Sequence, residues 1–416
     1  MGKTIAEKIF SSKSQTDAYA GDIITAQVDY ILTNDASGPL SIDYFKKMGA
    51  GRVTNPERIF AFIDHYVPCP NNKVAGLHQM LYDFRDTYNI QLLEAGQGIA
   101  HQVFDELKCV APGRLLVGGD SHITTHGYLG SLAIGVGASD LASAMISGEL
   151  WFKVPQTIIV DITGRLNPGV SGKDVALYLL SILGSNGANY KAIEFRGNGI
   201  ADLTMDDRKT ICNLATESCA KCAIMPIDER AISYCRDRGL PYDDIVISDE
   251  DCTYCREIHI DLDKVPAMIS LPCSADNAVP VHEKIGLAID MVVIGTCTNG
   301  RIDDFAAVDE IIRMSNSNFK TETLIIPASA TIYNQMIERG YMQRLVSKGA
   351  MILPPGCGPC CGSSPGTPRD GFKVLSTANR NFLGRMGNVK AEIYLASPIT
   401  AAATALAGCV TEAERG

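Results

Sequence analysis

No apolar run in the 416-residue chain reaches the roughly 18–20 residues of a membrane span. The opening MGKTIAEKIF has no apolar core of a secretory signal, and Ala6 stands where N-myristoylation wants Ser or Thr. A basic block is also missing. The net charge of −10 argues against a surface built for nucleic-acid phosphates or acidic lipid. No short-period repeat or low-complexity segment is present. These absences place the expected protein in the cytoplasm, without membrane or nucleic-acid partners.

What is present is a 46% apolar composition in a chain long enough for two or three domains. Fourteen cysteines in a reducing compartment do not make a disulfide framework. Most are expected to be small buried hydrophobes, with a few acting as thiols or metal ligands.

Short β-rich runs alternate with helical stretches, the pattern of α/β domains with parallel sheets. Boundaries fall near residue 155, before TIIVDITG, and near 280, after LPCSADNAVP, giving α/β domains over 1–155, 156–280 and 281–416. In the last of these, MVVIGTC reads as a buried strand ending at Cys297, and ETLIIPAS as another, followed by one helix over ATIYNQMIERGYMQRLVSKG. AMILPPGCG is a third strand delivering Cys357 and Cys360, and KVLSTANRN a fourth delivering Asn379 and Arg380. AEIYLAS leads into a last small-residue helix. The front of the chain repeats the arrangement: RIFAFID ends at Asp64-His65, NIQLLEAGQGIAHQ leads to His101, and GRLLVGGDSH ends at Asp120-Ser121-His122. Ligands bind outside the carboxyl ends of strands in open parallel sheets, so these clusters can converge. Three of only seven histidines sit at such positions, which points to a shared cleft.

The segment ILPPGCGPCCGSSPG carries three cysteines among residues that oppose a regular helix. CGPC alone looks like a redox dithiol, but that chemistry needs the motif at a helix N-terminus, and CGSSPGTP follows instead. Cys219/Cys222 and Cys252/Cys255 are also C-x2-C pairs and loosely resemble a separate four-cysteine zinc site; the bland reading is that they are ordinary thiols. An iron–sulfur cluster is the third possibility, since it takes a C-x2-C pair plus a remote cysteine, and Cys297 in GTCTNGR can be that remote ligand.

Taken together, GDSHITTHGYLGSLAIGVGASD, TICNLATES, IGTCTNGRIDD, GCGPCCG and STANRNFLGRMGN resemble the aconitase superfamily. More closely, they resemble the large subunits of its two-subunit isopropylmalate and homoaconitate hydro-lyases, over essentially the whole chain. The resemblance implies three α/β domains around a cluster cleft, and a [4Fe–4S] cluster on Cys297, Cys357 and Cys360 whose fourth iron binds the substrate's hydroxyl and a carboxylate. Arg380 and Arg385 match arginines that hold substrate carboxylates, with Asn379 beside them. Asp64 and His65 match the pair that handles the leaving hydroxyl. His101 with Asp120, and His122 with Glu217, match imidazole–carboxylate pairs around the iron-bound water, and Ser121 and Asn213 match polar residues lining that pocket. Ile123 replaces the threonine that commonly follows DSH, and Gly300 the serine that usually follows CTN; Cys361 and GSSPG are further departures. These leave the ligands intact and the substrate open between isopropylmalate, homoaconitate and another alkylmalate such as dimethylmalate or citramalate.

The residues alone agree with such chemistry. Removing water from a hydroxy diacid needs an acid for the leaving hydroxyl, a base for the C–H proton, and positive charge to hold carboxylates. Asn213 and Glu217 are four apart, so on one helix they would share a face. Taken singly, a His or Asp at a strand end is more often a satisfied structural group, and His78, His126, His259 and His282 are read that way. Everything required is visible except the carbanion-forming base. Single-chain aconitases carry it on a fourth, mobile domain with a GSSRE motif, of which no equivalent is found. The resemblance therefore implies a small subunit that brings the swivelling domain and a serine base. Two competing classes are a non-enzymatic RNA-binding relative, disfavoured by the acidic balance, and a thiol oxidoreductase.

Overall fold

Apolar runs that stop at polar clusters become parallel strands, and the order in which they lie decides where the clusters meet. The computed structural model describes residues 2–413. The expected α/β architecture is present. Strands Tyr30–Asn34, Ile59–Phe62, Gln91–Leu93, Leu115–Gly118 and Leu132–Gly135 form one sheet in which every neighbouring pair is parallel. The earliest strand lies in the middle, the next two on one side and the last two on the other. Strands Ile59–Phe62 and Leu115–Gly118 are buried at all four positions, as expected of a sheet covered on both faces.

A later sheet repeats that order. Met291–Gly295 is central, Glu322–Ile326 and then Met351–Ile352 lie on one side, and Lys373–Ser376 and then Glu392–Ala396 on the other, all parallel. Two short antiparallel strands, Met268–Ser270 and Ala278–Pro280, extend it past Glu392–Ala396. The sheet thus begins ahead of residue 280, inside the stretch read as the second unit. Between the two sheets in sequence, Gln156–Thr163, Lys191–Arg196, Cys222–Ile224 and Arg256–Asp261 make a parallel four-stranded sheet. One continuous core draws on all three, including Leu116, Val160, Ile193, Val293 and Leu395.

Two local readings change. The long helix after ETLIIPAS is two, Ala330–Glu338 and Tyr341–Ser347, separated at Gly340, whose φ of +71° a helix cannot accommodate. The strand in AMILPPGCG is only Met351–Ile352, because prolines follow at once. The small-residue helix is Pro398–Ala407, capped by Ser397, whose hydroxyl accepts from the Thr400 amide. Among the described residues, no helix is long and apolar enough to cross a membrane.

Candidate active site

In each five-strand parallel set, chain order reverses beside the central strand, and the crevice at such a point is where open α/β sheets hold ligands. In the first sheet the central strand runs into Asn34 and Asp35, and its two neighbours run into Asp64-His65 and Asp120-Ser121-His122. Asp35 is fully buried. Its carboxylate accepts from the amides of His65 and Tyr66, each at 3.0 Å, and lies 3.0 Å from His78 Nε2. Burial opposes its ionisation, but His78, His65 and these amides outweigh it and hold the carboxyl below its usual range. His78, read as structural, therefore braces the residue that seats His65. Asp35 escaped the sequence reading, although YILTND has the same form, an apolar run stopping at a carboxylate.

The seated groups form a chain of acid–imidazole contacts. His65 Nδ1 is 2.6 Å from Asp64 Oδ1, and its Nε2 is 3.4 Å from Asp120 Oδ2. The other Asp64 oxygen accepts from the Ala100 amide at 2.8 Å, at the start of helix Ala100–Glu106 that carries His101. His101 Nε2 reaches Asp120 Oδ1 at 3.1 Å, and the His122 amide donates to that oxygen at 2.7 Å. Burial alone would raise Asp120, yet the His101 charge and hydrogen bonds from His101, His122 and His65 hold it well below the usual carboxylate range. For His65, burial is outweighed by Cys357, Asp64 and Asp120, which carry it well above the ordinary imidazole value. The site thus holds a carboxylate kept ionised beside an imidazole kept protonated. His126 lies behind His101 and Phe104, and burial, with His101 next, keeps it neutral.

The later sheet supplies the thiols. Its central strand ends at Gly295, with φ +132°, where an added Cβ would stand 1.9 Å from the Ile326 carbonyl oxygen. Thr296 follows at φ +69°, a costly conformation for a β-branched residue, and the turn Thr296–Asn299 then presents Cys297. Arg301, buried, donates to the Cys297 and Thr298 carbonyls at 2.7 Å each. The edge strand leads to a single 3-10 turn, Gly358–Cys361, which presents Cys360. The Cys357 amide donates to the Asp64 carbonyl at 2.9 Å, which ties the thiol loop to the imidazole side.

Asn213 and Asn379 both aim Nδ2 at Cys297 Sγ, at 3.5 and 3.3 Å, and Arg385 Nη2 lies 3.7 Å from Cys360 Sγ. Cys361 turns its Sγ to the His65 carbonyl at 3.5 Å. Burial pushes the Cys297 thiol up to about 11, with Cys360 and Asp120 adding to it. Asn213 sits on helix Met205–Leu214, but the chain tightens into the 3-10 turn Ala215–Ser218 before Glu217, so the two do not share a regular helical face. They diverge usefully. Glu217 Oε1 lies 2.8 Å from His122 Nε2 and accepts from Arg380 Nε at 2.8 Å, while Arg380 Nη2 donates to Ser121 Oγ at 2.9 Å. Burial opposes Glu217's ionisation, but His122 and Arg380 hold it below the usual range.

All fourteen residues named from the sequence therefore meet. Ten line one cavity of about 260 Å3, and Asp64, Ser121, Asn213 and Glu217 are bonded to lining groups from behind. Larger hollows of about 410 and 820 Å3 open beside Tyr234 and contain no thiol. Lys209 and Asp105 in the first are paired with each other, and Asp228 in the second is paired with buried Arg208. The Cys219/Cys222 and Cys252/Cys255 pairs assemble no site: Cys222 is buried, Cys219 and Cys255 are exposed, and Cys252 is half-buried. Among the described residues the one set of three potential ligand atoms within 4.8 Å of one another is Asp35, Asp64 and His65.

The fold and this cleft define the class. The model of the Aconitase family (aconitate hydratase) matches residues 7–288 and 282–408, and the chain belongs to that family. Curated relatives narrow the likeness. The chain is 43% identical over 100% of both chains to the 3-isopropylmalate dehydratase large subunit 1 of Thermotoga maritima, and 40% identical over 99% of both to that of Methanopyrus kandleri. Among solved structures, Thermococcus kodakaraensis aconitase X in its holo-form matches 91% of this chain and 93% of its own with a TM-score of 0.51; at 12% identity this likeness concerns the fold alone.

Proposed function

We propose that this chain is the cluster-bearing large subunit of a cytoplasmic hydro-lyase that interconverts 2- and 3-isopropylmalate by eliminating and re-adding water, a step of leucine biosynthesis. The observation that carries the proposal is the single cavity that three buried thiols share with imidazole–carboxylate pairs and with Arg380, which is bonded to Glu217. Relatives at 40–43% identity over the full chain named 3-isopropylmalate dehydratase large subunit support the substrate class.

The donor set fits a [4Fe–4S] cluster better than a single ion. Cys297, Cys357 and Cys360 do not bring their sulfurs within 4.8 Å of one another, as one ion would require, whereas a cluster offers each thiolate its own iron. The Asn213, Asn379 and Arg385 donors on two of these sulfurs are of the kind that stabilise bound thiolates. When bound, the cluster supplies a Lewis-acid iron that polarises the substrate hydroxyl.

The remaining steps rest on this chain's side chains. Arg380, which spends Nε and Nη2 on Glu217 and Ser121, turns its guanidinium edge to a substrate carboxylate, with Arg385 as the second cation. His65, held protonated beside ionised Asp120, is placed to give a proton to the leaving hydroxyl. His101–Asp120 and His122–Glu217 are placed to hydrogen-bond the departing water, which on re-addition returns its proton to His65. Of the lining side chains that could take the C–H proton as base, only Tyr66 and Cys361 have no part in holding the cluster or in these steps. We assign that base, a serine, to a small subunit that swings over the pocket, in line with the "large subunit" in the relatives' names.

The test is reconstitution. The isolated chain is expected to hold the cluster and to be nearly inactive, and adding the small subunit should restore turnover of isopropylmalate in preference to homoaconitate, dimethylmalate or citramalate. Full turnover by the isolated chain would place the base among the residues named here, and preference for another diacid would move the substrate.

A further inference from the structure

Lys173 is the one fully buried lysine that no carboxylate pairs: none of the ion pairs within 4.0 Å among the described residues includes it. It sits on the first turn of helix Gly172–Leu183, a start fixed by the Ser171–Asp174 capping box and by the Gly172 amide donating to Asp207 at 2.6 Å. From there its Nζ donates to the carbonyls of Thr377 at 2.8 Å and Ala378 at 2.5 Å. Those two residues immediately precede Asn379, which donates to Cys297 Sγ, and Arg380, which bridges to Glu217 and Ser121. The ionisable groups it feels are Cys297 first, then Asp174, Asp304 and Cys360.

Such a placement is expensive. A buried ammonium without an anionic partner is strongly disfavoured, and burial accordingly pulls Lys173 down to about 7. A methionine or leucine would fill the same space. In the cluster-free chain the acids that act on it are Asp174 and Asp304, which burial raises to about 6 and about 7, so they offset the charge only in part. A bound metal group would add to this, since coordinated thiols are deprotonated and would bring negative charge to this wall.

We propose that Lys173 is a positioning residue of the cysteine site: it clamps the Thr377–Ala378 turn that presents Asn379 and Arg380, and supplies the buried positive charge that thiolates holding a cluster require. The inference rests on the cluster reading above. By linkage, a residue that interacts better with the loaded site than with the empty one tightens retention of what is loaded.

The experiment compares wild type with Lys173→Gln, which keeps a donor for the carbonyls without the charge, and Lys173→Met, which keeps neither. Each chain is reconstituted without oxygen with iron and sulfide. Three measurements follow: iron loss to a chelator, the midpoint potential of the cluster, and circular dichroism of the cluster-free protein. Both variants should fold without iron and lose it to chelator faster, Lys173→Gln by about tenfold and Lys173→Met by more. Their clusters should have lower potentials, because a nearby positive charge favours the added electron. Wild-type chelator kinetics and potential in both variants would overturn the proposal, as would variants unfolded without iron, which would make Lys173 a residue of the fold alone. Failure of wild type to take up iron would instead sink the cluster reading.

Discussion

The first and the last sheet of this protein share one strand order and differ in what they deliver. In both, the earliest strand is central and the chain winds outward one way and then the other. The first sheet sends Asp35, Asp64-His65 and Asp120 into its crevice, where the three carboxylates lie 2.6 to 3.8 Å from the His65 ring. The last sends Cys297, Cys357, Cys360 and Asn379-Arg380, where Cys297 meets amide donors, Cys360 a guanidinium and Cys357 the His65 ring. Topology decides where strand ends point, and residue type decides the chemistry found there. On the imidazole side charged partners hold Asp120 ionised, whereas on the thiol side burial raises Cys297 and Cys357.

Breaking the two sides separately should therefore give different failures. Replacing Cys297, Cys357 or Cys360 with Ala should each abolish the bound iron, expected in wild type at about four per chain; iron and sulfide analysis reads this directly. His122→Ala, on the imidazole side, should leave iron intact and lower kcat of the reconstituted enzyme by about 10² to 10⁴, the usual weight of a proton-transfer group, with little change in KM. An active His122→Ala enzyme would return that residue to a structural role. Arg380→Lys keeps the charge but loses the planar fork on Glu217 and Ser121, so kcat/KM should fall roughly ten- to a hundredfold with an unchanged cluster spectrum.

Smaller effects sharpen the contrast further. Cys361→Ala should retain the iron, because its Sγ is turned to the His65 carbonyl; loss of iron there, with retention in Cys360→Ala, would reverse the ligand assignment. The least effect is on stability. Burial raises Asp304 to about 7, and a free carboxyl titrates near 4, so the folded chain holds this proton through the interval while the unfolded chain releases it. Relative to Asp304→Asn, the cluster-free wild type should therefore lose thermal stability as pH rises from about 5 to 7. A gap independent of pH would mean that Asp304 is ionised throughout.

Much of this site was legible along the chain because parallel strands are short, apolar and end abruptly in the residues that matter. RIFAFID, GRLLVGGDSH and MVVIGTC each mark a strand and its cargo. Asp35 was missed although YILTND obeys the same rule, since a lone aspartate after an asparagine reads as a turn. Lys173 was invisible for a different reason: a lysine near a helix start looks solvated until its tip is found on two carbonyls some two hundred positions away. The helix after ETLIIPAS was overextended because its apolar spacing continues across Gly340, while the backbone there does not.

By itself the amino-acid sequence determined the α/β class, the strand ends, and the stock of thiols, imidazoles, carboxylates and arginines, because each of these is a local property of period and residue type. Only the tertiary structure decided which of several identical spacings forms a site. Cys357/Cys360 and Cys219/Cys222 are the same motif, yet one pair faces Cys297 across a crevice and the other is split between core and surface. The cause is strand order, which is settled by how whole sheets bury their faces and leaves no mark in the few residues around a cysteine.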